Sequence, residues 1–299
     1  SMVIGFAFLV YYNNDEMAKN PGAKMPDLRT VTVRRNNVTL NDIFISIKTS
    51  KVFHQSRVVH IVKTWFNLVK DQTYIFTDGD DDQLNHTTHG HMINTRCGEG
   101  RTRPNLGCKM GSEFDAFLAS GRKWWCRFDD DNYVNPARLL QLVNRFNWWS
   151  DVYIGRLSVP FFAARYHGKW RRYKFAHGGA GCCISRSLGK RMEPWGGRKS
   201  LPRLQNITSI NDDAALGFII TAILKVNISL SDQLHSHYER LADLNPSTFS
   251  EQVSFSYSKQ NTINTDHKKF KSKSFSRQQD PTRFYSLHCL LYPAADICQ

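Results

Sequence analysis

KWWCRFDDDNYVNPARLLQLVNRF (residues 123–146) contains, in order, an apolar strand, three consecutive aspartates and the start of a helix. Its first six residues predict a buried strand that ends at Asp129. Asn135 stands at the N-cap position and Pro136 at the first helical position, before apolar residues at helical spacing. Adjacent carboxylates repel one another, so a chain with 40 Lys+Arg and 26 Asp+Glu is expected to hold a positive ligand there.

Two strand–helix units precede this segment. DIFISIKTS is an apolar strand ending at Lys48 and Thr49, and residues at helical spacing follow it. TYIFTD is a second strand, ending at Asp78, and the helical face in KMGSEFDAFLASG stops at Gly121. Alternating strands and helices predict an α/β fold with a mostly parallel central sheet flanked by helices. Ligands of such sheets bind at the carboxyl ends of the strands.

The three aspartates suit a divalent cation. In an extended segment Asp129 and Asp131 point to one side and Asp130 to the other, so two carboxylates are expected to converge on one site. Hard oxygen ligands favour Mg²⁺ or Mn²⁺, which commonly complete their shell with substrate phosphates and water. A solvated turn is the alternative interpretation of such a triplet.

A second acidic pair, Asp212 and Asp213, precedes a helical pattern in SINDDAALGFIITAIL. One of the two is expected to cap that helix, which leaves the other free to act as a general base. LHSHYE then supplies His235 and His237 on one side of an extended segment. An imidazole beside a carboxylate-bound Mn²⁺ is a candidate for a further ligand.

The formal net charge of +14 indicates an anionic partner, which could be a nucleic acid, an anionic glycan, a phosphate ligand or a membrane surface. The sequence contains neither GxGxxG nor GxxxxGK[ST], which argues against a dinucleotide enzyme and a P-loop NTPase. Two basic runs, RYHGKWRRYK (residues 165–174) and HKKFKSKSFSR (residues 267–277), are interpreted as solvated loops.

Seven cysteines without a CxxC motif or a zinc-like spacing favour disulfide bonds. Glycosylation sequons fit the same oxidising compartment; they begin at Asn37, Asn85, Asn206 and Asn227. Residues 1–12 form an apolar run shorter than the roughly 20 residues that cross a bilayer. They are interpreted as the remnant of a signal anchor, with a buried strand as the alternative, and residues 13–40 as a stem.

An ion site, a separate base and an oxidising compartment together describe sugar transfer from a nucleotide sugar. The motifs that resemble the Fringe glycosyltransferases are, in order, DIFISIKTSKVFHQSR, KTWF, CRFDDDNYVNP, HGGAGCCIS, LHSHYE and DPTRFYSLHCLLYP. The resemblance covers nearly all of residues 41–299, which are therefore assigned to a catalytic domain with a GT-A fold. It implies a Golgi type II enzyme whose catalytic domain lies in the lumen and which meets the membrane only through an N-terminal anchor.

The family transfers N-acetylglucosamine in β1,3 linkage to O-linked fucose. The resemblance therefore implies UDP-GlcNAc as donor and O-fucosylated EGF-like repeats of Notch and its ligands as acceptors, with modulation of Notch signalling as the outcome. It also implies Mn²⁺ as cofactor, with Asp131 as a direct ligand and His237 as the other ligand from the protein. Asp213 matches the family's general base. The residues that match substrate-binding positions are Thr49, Arg57, Asp129 and Asp130. The implied disulfides are Cys97–Cys108, Cys126–Cys183 and Cys289–Cys298.

The chain departs from the family pattern at three positions. Asn211 stands where Pro is usual, His177 where Thr is usual, and Cys182 where Phe is common. Asn211 and His177 flank the expected active site, so they bear on substrate preference or rate. Cys182 is left as an unpaired thiol.

Three other functions would share some of these sequence features. A β1,3-galactosyl- or N-acetylgalactosaminyltransferase would share the acidic motif, but the SLHCLLYP tail favours Fringe. A non-catalytic fucose-binding module would need no base, so the intact Asp131, Asp213 and His237 argue against it. Nucleic acid is not expected as a partner, because no recognition motif accompanies the positive charge and the sequons and cysteines conflict with it.

Overall fold

The computed structural model describes residues 37–266, 270 and 275–299. The strands in these residues are β1 (Ile43–Lys48), β2 (Thr73–Thr77), β3 (Met92–Asn94), β4 (Trp124–Asp129), β5 (Asn132–Val134), β6 (Tyr153–Gly155), β7 (Phe162–Tyr166), β8 (Lys169–Tyr173), β9 (Cys182–Ser185), β10 (Ile228–Leu230), β11 (Leu234–His235) and β12 (Ser254–Ser256). The α-helices are α1 (Val59–Val62), α2 (Asp82–Thr87), α3 (Arg103–Ser120), α4 (Pro136–Val143), α5 (Arg186–Gly196), α6 (Ser200–Thr208), α7 (Asp212–Gly217) and α8 (Phe284–Leu291).

The central sheet has seven strands in the order β10-β6-β9-β4-β1-β2-β3. β1 pairs in parallel with β2 and β4, and only β9 runs antiparallel to its neighbours in this sheet. Strands β11, β12 and β5 form a smaller sheet, and β7 pairs with β8 alone. The mostly parallel α/β architecture predicted from the sequence, consistent with a GT-A fold, is confirmed.

Both faces of the central sheet are covered. Along β1, Ile43, Ile45 and Ile47 enter one apolar cluster while Phe44 enters the other, as the two-residue period of a strand requires. A parallel sheet buried on both faces needs nearly continuous apolar strands. This explains why β1 and β4 begin with apolar residues on both faces.

Helix boundaries follow the sequence signals closely. The Asn135 side chain accepts the backbone N–H of Arg138 at the start of α4, as expected of an N-cap. α3 ends at Gly121, whose φ of 71° lies in the left-handed region that favours glycine. No helix in residues 37–266 or 275–299 has the length and apolar character needed to cross a bilayer.

Residues 165–174 are mostly exposed, as expected, but the prediction of a loop is wrong, because they form most of an antiparallel hairpin of β7 and β8. The second basic run falls largely outside the described residues, as do residues 1–12 and most of the stem. At the domain boundary, Val38 is already buried. Its backbone N–H and C=O bond the side chain of Asn144 at 3.2 and 3.0 Å, so packing begins before residue 41.

Candidate active site

A pocket of about 390 Å³ opens at the carboxyl ends of β1 and β4. The parallel register places Lys48 of β1 directly beside Asp129 of β4, so the last residues of both strands reach the same edge of the sheet. The charged and imidazole side chains that line the pocket are Lys48, Arg57, Arg101, Arg103, Lys109, Asp129, Asp130, Asp131, His177, Asp212, Asp213 and His237.

The side chains of the three aspartates were predicted to alternate between two sides of an extended segment, and they do not. β4 ends at Asp129, and the chain turns at Asp130 and Asp131 before β5 begins. Asp130 and Asp131 consequently share one cation, since Arg57 Nη1 lies 2.7 Å from Asp130 Oδ1 and 3.5 Å from Asp131 Oδ2. Asp129 instead contacts Arg127, at 3.0 Å. Asp129 and Asp131 do line one pocket, but the predicted alternation was wrong because the segment is not extended and Asp130 lines the same pocket.

Asp130 contacts two other residues that were matched to substrate-binding positions. The Thr49 hydroxyl donates to Asp130 Oδ2 at 2.7 Å, on the opposite side from Arg57. The Arg57 guanidinium lies 4.1 Å from the centre of the Phe53 ring, which also lines the pocket. Thr49, Arg57 and Asp130 thus form one connected group at the pocket wall.

Asp131 lies beside His237. Its Oδ1 accepts the Ser256 hydroxyl at 3.2 Å, and its Oδ2 lies 3.9 Å from His237 Nδ1. Burial, together with the neighbouring carboxylates Asp129 and Asp130, raises the pKa of Asp131 to about 8. A carboxylate in such a setting gains greatly from a cation, since the cation favours the ionised form.

A salt-bridged group holds the two acidic segments together. Lys48 donates to Asp212 Oδ2, and its Nζ lies 3.5 Å from Asp129 Oδ1. Burial opposes ionisation of Asp129, but Lys48 and Arg127 outweigh it and hold the pKa of Asp129 well below its ordinary value. Burial likewise opposes ionisation of Asp212, yet the Lys48 charge lowers its pKa overall. Both carboxylates are therefore fixed as anions by cations of the protein.

Asp213 is bonded differently from its neighbour. Its Oδ2 accepts the backbone N–H of Gly178 at 3.3 Å, and its Oδ1 accepts the N–H of Ala214 at 2.8 Å. It forms no ion pair with any residue in the described part of the chain. Burial, and next the adjacent Asp212 carboxylate, raise the pKa of Asp213 above its ordinary value. This half-buried carboxylate has the properties of a proton acceptor facing a pocket.

One of the two aspartates was predicted to cap α7, but neither side chain does so. Asn211 occupies the N-cap position without a side-chain capping bond, and Asp212 and Asp213 lie in the first turn. The helix dipole there favours their ionised forms. The division of labour predicted for the pair survives, but Asp212 is held by Lys48 rather than by the helix end.

Two glycines separate Asp213 from His237. A Cβ built on Gly178 would meet Asp213 Oδ2 at 3.2 Å, and one on Gly179 would meet His237 Cε1 at 2.9 Å and His177 Cε1 at 3.0 Å. Side chains at these positions would push the base candidate and the imidazoles apart. The glycines of HGGAGCC therefore allow close approach at the site.

The two histidines of LHSHYE do not share a site. His235 is buried on Phe255, and its ring nitrogens face Glu239 at 3.2 Å and Gln252 at 2.9 Å. His237 lines the pocket, where its Nδ1 lies 3.0 Å from the Ser256 hydroxyl. Only His237 is placed to meet a ligand of the pocket.

His177 forms part of the pocket wall. Its ring packs edge-on against the rings of His237 and Tyr238, with centroids 5.7 and 4.4 Å away. Burial, and next the His237 charge, lower the pKa of His177 to about 4. His177 is thus a neutral imidazole at physiological pH.

Sequence reasoning missed two buried charged residues at or near the pocket, Lys109 and Glu113. Lys109 is fully buried and donates to Thr49 O, Ser50 Oγ and Asp78 Oδ2 at 2.7–2.9 Å. Glu113, one turn later, is also fully buried and accepts the Ser46 hydroxyl at 2.6 Å. Both lie on the helical face that carries Met110 and Phe117. Two charged residues on an otherwise apolar helical face were the sequence signal that could have identified them as buried.

The structure contains the three disulfides Cys97–Cys108, Cys126–Cys183 and Cys289–Cys298. The second joins β4 to β9, directly below the aspartates. Cys182 is a buried free thiol, and burial raises its pKa to about 11. It is therefore an inert core residue and not a nucleophile.

The pocket residues fit a divalent ion that takes only part of its ligands from the protein. Among the described residues, no group of three or more His, Cys, Asp or Glu side chains is arranged to hold a metal. Asp131 and His237 offer one oxygen and one nitrogen donor at the pocket wall. An ion with two protein ligands would need oxygens from a bound phosphate or water, as Mg²⁺ and Mn²⁺ commonly do.

A family model and individual relatives match this chain. The Fringe-like family model matches residues 38–295. The chain is 42% identical to Fringe glycosyltransferase of Drosophila melanogaster over 277 residues, which cover 90% of this chain and 66% of that protein. It is 39% identical to the zebrafish (Danio rerio) β-1,3-N-acetylglucosaminyltransferase lunatic fringe, covering 95% and 76%. It is 38% identical to human β-1,3-N-acetylglucosaminyltransferase manic fringe, covering 99% and 93%.

Proposed function

Because the chain belongs to the Fringe family of glycosyltransferases, we propose that it transfers N-acetylglucosamine from UDP-GlcNAc in β1,3 linkage to O-linked fucose. The names of the zebrafish and human relatives support the sugar and the linkage. The acceptors are EGF-like repeats of Notch and its ligands, and the consequence is altered Notch signalling. The sequence motifs quoted above support this acceptor class.

The proposed activity depends on Asp213 as the general base. Asp129, Asp130 and Asp212 each lie within ion-pair distance of Arg127, Arg57 or Lys48. Asp213 faces the same pocket without an ion pair in the described chain, and its pKa is raised. A site that only bound sugar would not require such a group, whereas acceptor activation does.

The reaction is an inverting displacement. The acceptor hydroxyl gives its proton to the Asp213 carboxylate while its oxygen forms a bond to the anomeric carbon of the donor. The bond between that carbon and the diphosphate oxygen breaks, and its electron pair leaves with UDP. Because attack and departure occur on opposite faces, the configuration at the anomeric carbon inverts.

Cations of the protein favour departure of the diphosphate. Arg57, Arg101 and Arg103 line the pocket and supply fixed positive charge where the leaving group develops negative charge. Asp131 and His237 would hold Mn²⁺, which supplies further charge neutralisation to the bound diphosphate. Lys48 keeps Asp212 ionised and paired, so that the proton from the acceptor goes to Asp213.

The catalytic domain acts in the Golgi lumen, and the full-length protein is a type II membrane protein with an N-terminal anchor. Three disulfides support an oxidising compartment. All four sequon asparagines are exposed, which suits attachment of glycans.

A donor comparison tests the function. The purified chain is incubated with Mn²⁺, an O-fucosylated EGF-like repeat and either UDP-GlcNAc, UDP-Gal or UDP-GalNAc, and the product is weighed by mass spectrometry. The expected result is addition of one N-acetylhexosamine from UDP-GlcNAc alone, with none on the unfucosylated repeat. Transfer of galactose or N-acetylgalactosamine would establish the rival donor specificity. Binding of the fucosylated repeat without transfer from any donor would indicate a fucose-binding module.

A further inference from the structure

The β7–β8 hairpin has one anchored face and one free face. On the anchored side Ala164 and Tyr173 are buried, and the rings of Tyr166 and Tyr173 pack edge-on against Phe218 at 5.6 and 5.3 Å. On the free side the cross-strand pair Arg165 and Trp170 is exposed. A two-stranded hairpin is marginal by itself, so the anchored face is what holds the free face in a fixed orientation.

Apolar exposure is concentrated on this hairpin and its approach. Among the described residues nine large apolar side chains are exposed, and four of them fall between residues 159 and 170. Those four are Val159, Phe161, Phe162 and Trp170. Trp170 leaves 74% of its surface accessible, and the Arg172 guanidinium lies 5.2 Å from the centre of the exposed Phe161 ring. Exposed Trp beside Arg is the composition of protein interfaces.

The charge of the hairpin is uncompensated. No Asp or Glu occurs in the sequence between Asp151 and Glu193. The hairpin's cations are Arg165, Lys169, Arg171, Arg172 and Lys174. None of them forms an ion pair with another residue of the described chain, and Arg171 Nε is buried without a hydrogen-bond partner there. An acidic partner surface would therefore meet complementary charge without displacing internal salt bridges.

The hairpin continues into the wall of the active site. Below β7 and β8 the pairing carries on through Leu157 and Ala176, and the backbone N–H of His177 bonds Arg156 O at 2.8 Å. His177 and Gly178 line the pocket. Trp170 is seven residues from His177, so the two lie no more than about 25 Å apart. A small folded domain bound through one sugar in the pocket can span that distance.

From these features we propose that the free face of the hairpin, formed by Phe161, Arg165, Trp170 and Arg172, docks the polypeptide of the acceptor. The occupant is a small, folded acceptor domain with an acidic surface next to its fucose. This inference rests on the proposed function for the identity of the sugar. It adds a site for the protein part of the substrate, outside the pocket that holds the sugars.

Two kinds of acceptor separate docking from chemistry. One is an O-fucosylated EGF-like repeat of net negative charge, and the other is a simple aryl fucoside that has no polypeptide. The test variants are Trp170→Ala and the double reversal Arg165→Glu/Arg172→Glu. Matched controls are Leu230→Ala, which removes another exposed apolar side chain, and Lys70→Glu/Arg145→Glu, which makes the same charge change at exposed positions elsewhere.

The test variants should lose roughly tenfold or more in kcat/KM on the fucosylated repeat, mainly through KM. Their kcat/KM on the aryl fucoside should stay at the wild-type value, and the control variants should match wild type on both acceptors. Equal losses on both acceptors, or no loss on the repeat, would overturn the proposal, because the face would then act through folding or not at all.

Binding of the chain to the fucosylated repeat, measured without UDP-GlcNAc, tests the docking face independently of catalysis. Immobilised fucosylated repeat should bind wild type and controls, bind both test variants more weakly, and bind wild type less tightly as salt rises. If wild type transfers no sugar to either acceptor, the proposed function fails while this binding result still decides the docking face. Unchanged repeat binding by the variants, with lost binding to heparin or to anionic vesicles, would assign the face to a different partner and refute the inference.

Discussion

Replacing Lys48 by Met should destabilise the fold strongly at neutral pH. Lys48 Nζ contacts Asp212 and lies 3.5 Å from Asp129 Oδ1, and all three groups are largely buried. At an effective dielectric constant of about 20, one such pair at this distance interacts by about 5 kcal/mol. The desolvation of the lysine offsets part of this energy. Removal of one partner from a buried ion pair typically costs about 3–5 kcal/mol, which is the loss expected for Lys48→Met.

The loss should depend on pH. In the wild type the lowered pKa values of Asp129 and Asp212 contribute stability that is present above the unfolded-state pKa and is lost as pH falls through the folded-state values. Without Lys48 these folded-state pKa values rise, so both carboxylates bind protons more readily. The difference between variant and wild type should therefore shrink as pH falls from 7 towards 4.

Urea unfolding with intact disulfides, at pH 7 and at pH 4.5, measures this difference directly. Lys123→Met is a matched control, because Lys123 forms a partly exposed ion pair with Asp42 at 3.0 Å and should cost no more than about 1 kcal/mol. Adding Asp212→Asn to Lys48→Met should recover roughly 0.5–3 kcal/mol. A loss below about 1 kcal/mol, or one of equal size at both pH values, would refute the assignment of Lys48 as the counter-ion of both aspartates.

Three further predictions concern the pocket. Asp131→Asn should weaken binding of Mn²⁺ and of UDP-GlcNAc together in calorimetry, and full transfer at low Mn²⁺ would exclude Asp131 as a ligand. Gly179→Ala should displace His237, because the new Cβ would lie 2.9 Å from its ring, and so raise the Mn²⁺ concentration needed for half-maximal rate; an unchanged requirement would contradict this. The kcat should fall as pH falls through the raised pKa of Asp213, since only the ionised carboxylate accepts a proton; a pH profile whose acid limb lies at or below the ordinary Asp pKa would argue against this base.

The sequence predicted which segments meet at the site. Strand ends in a parallel sheet share one edge, so the pattern of apolar strands was sufficient to bring Thr49 beside the aspartates, where it bonds Asp130. The N-cap and first turn of α4 and the glycine at the end of α3 were predicted correctly, because each depends only on neighbouring residues. These features depend on residues a few positions apart, which is why sequence alone was informative.

The partners of the charges could not be predicted. Lys48 and Asp212 are 164 residues apart, and their pairing depends on how α7 packs above the sheet. The alternation expected for the aspartates failed because the chain turns at Asp130, a turn without glycine or proline to announce it. The β7–β8 hairpin was mistaken for a loop because its buried face is small and positively charged residues make up much of its sequence.

The rate of sugar transfer by Asp213→Asn at saturating UDP-GlcNAc and acceptor tests the account most directly. General-base contributions are typically about 10²- to 10⁴-fold, so kcat should fall by a factor of that order while the affinity for UDP stays near the wild-type value. Asp212→Asn, measured in parallel, should retain more activity and lose stability instead, because Asp212 is the ion-pair partner of Lys48. A near-normal kcat for Asp213→Asn would contradict the assignment of Asp213 as the base on which the proposed reaction depends.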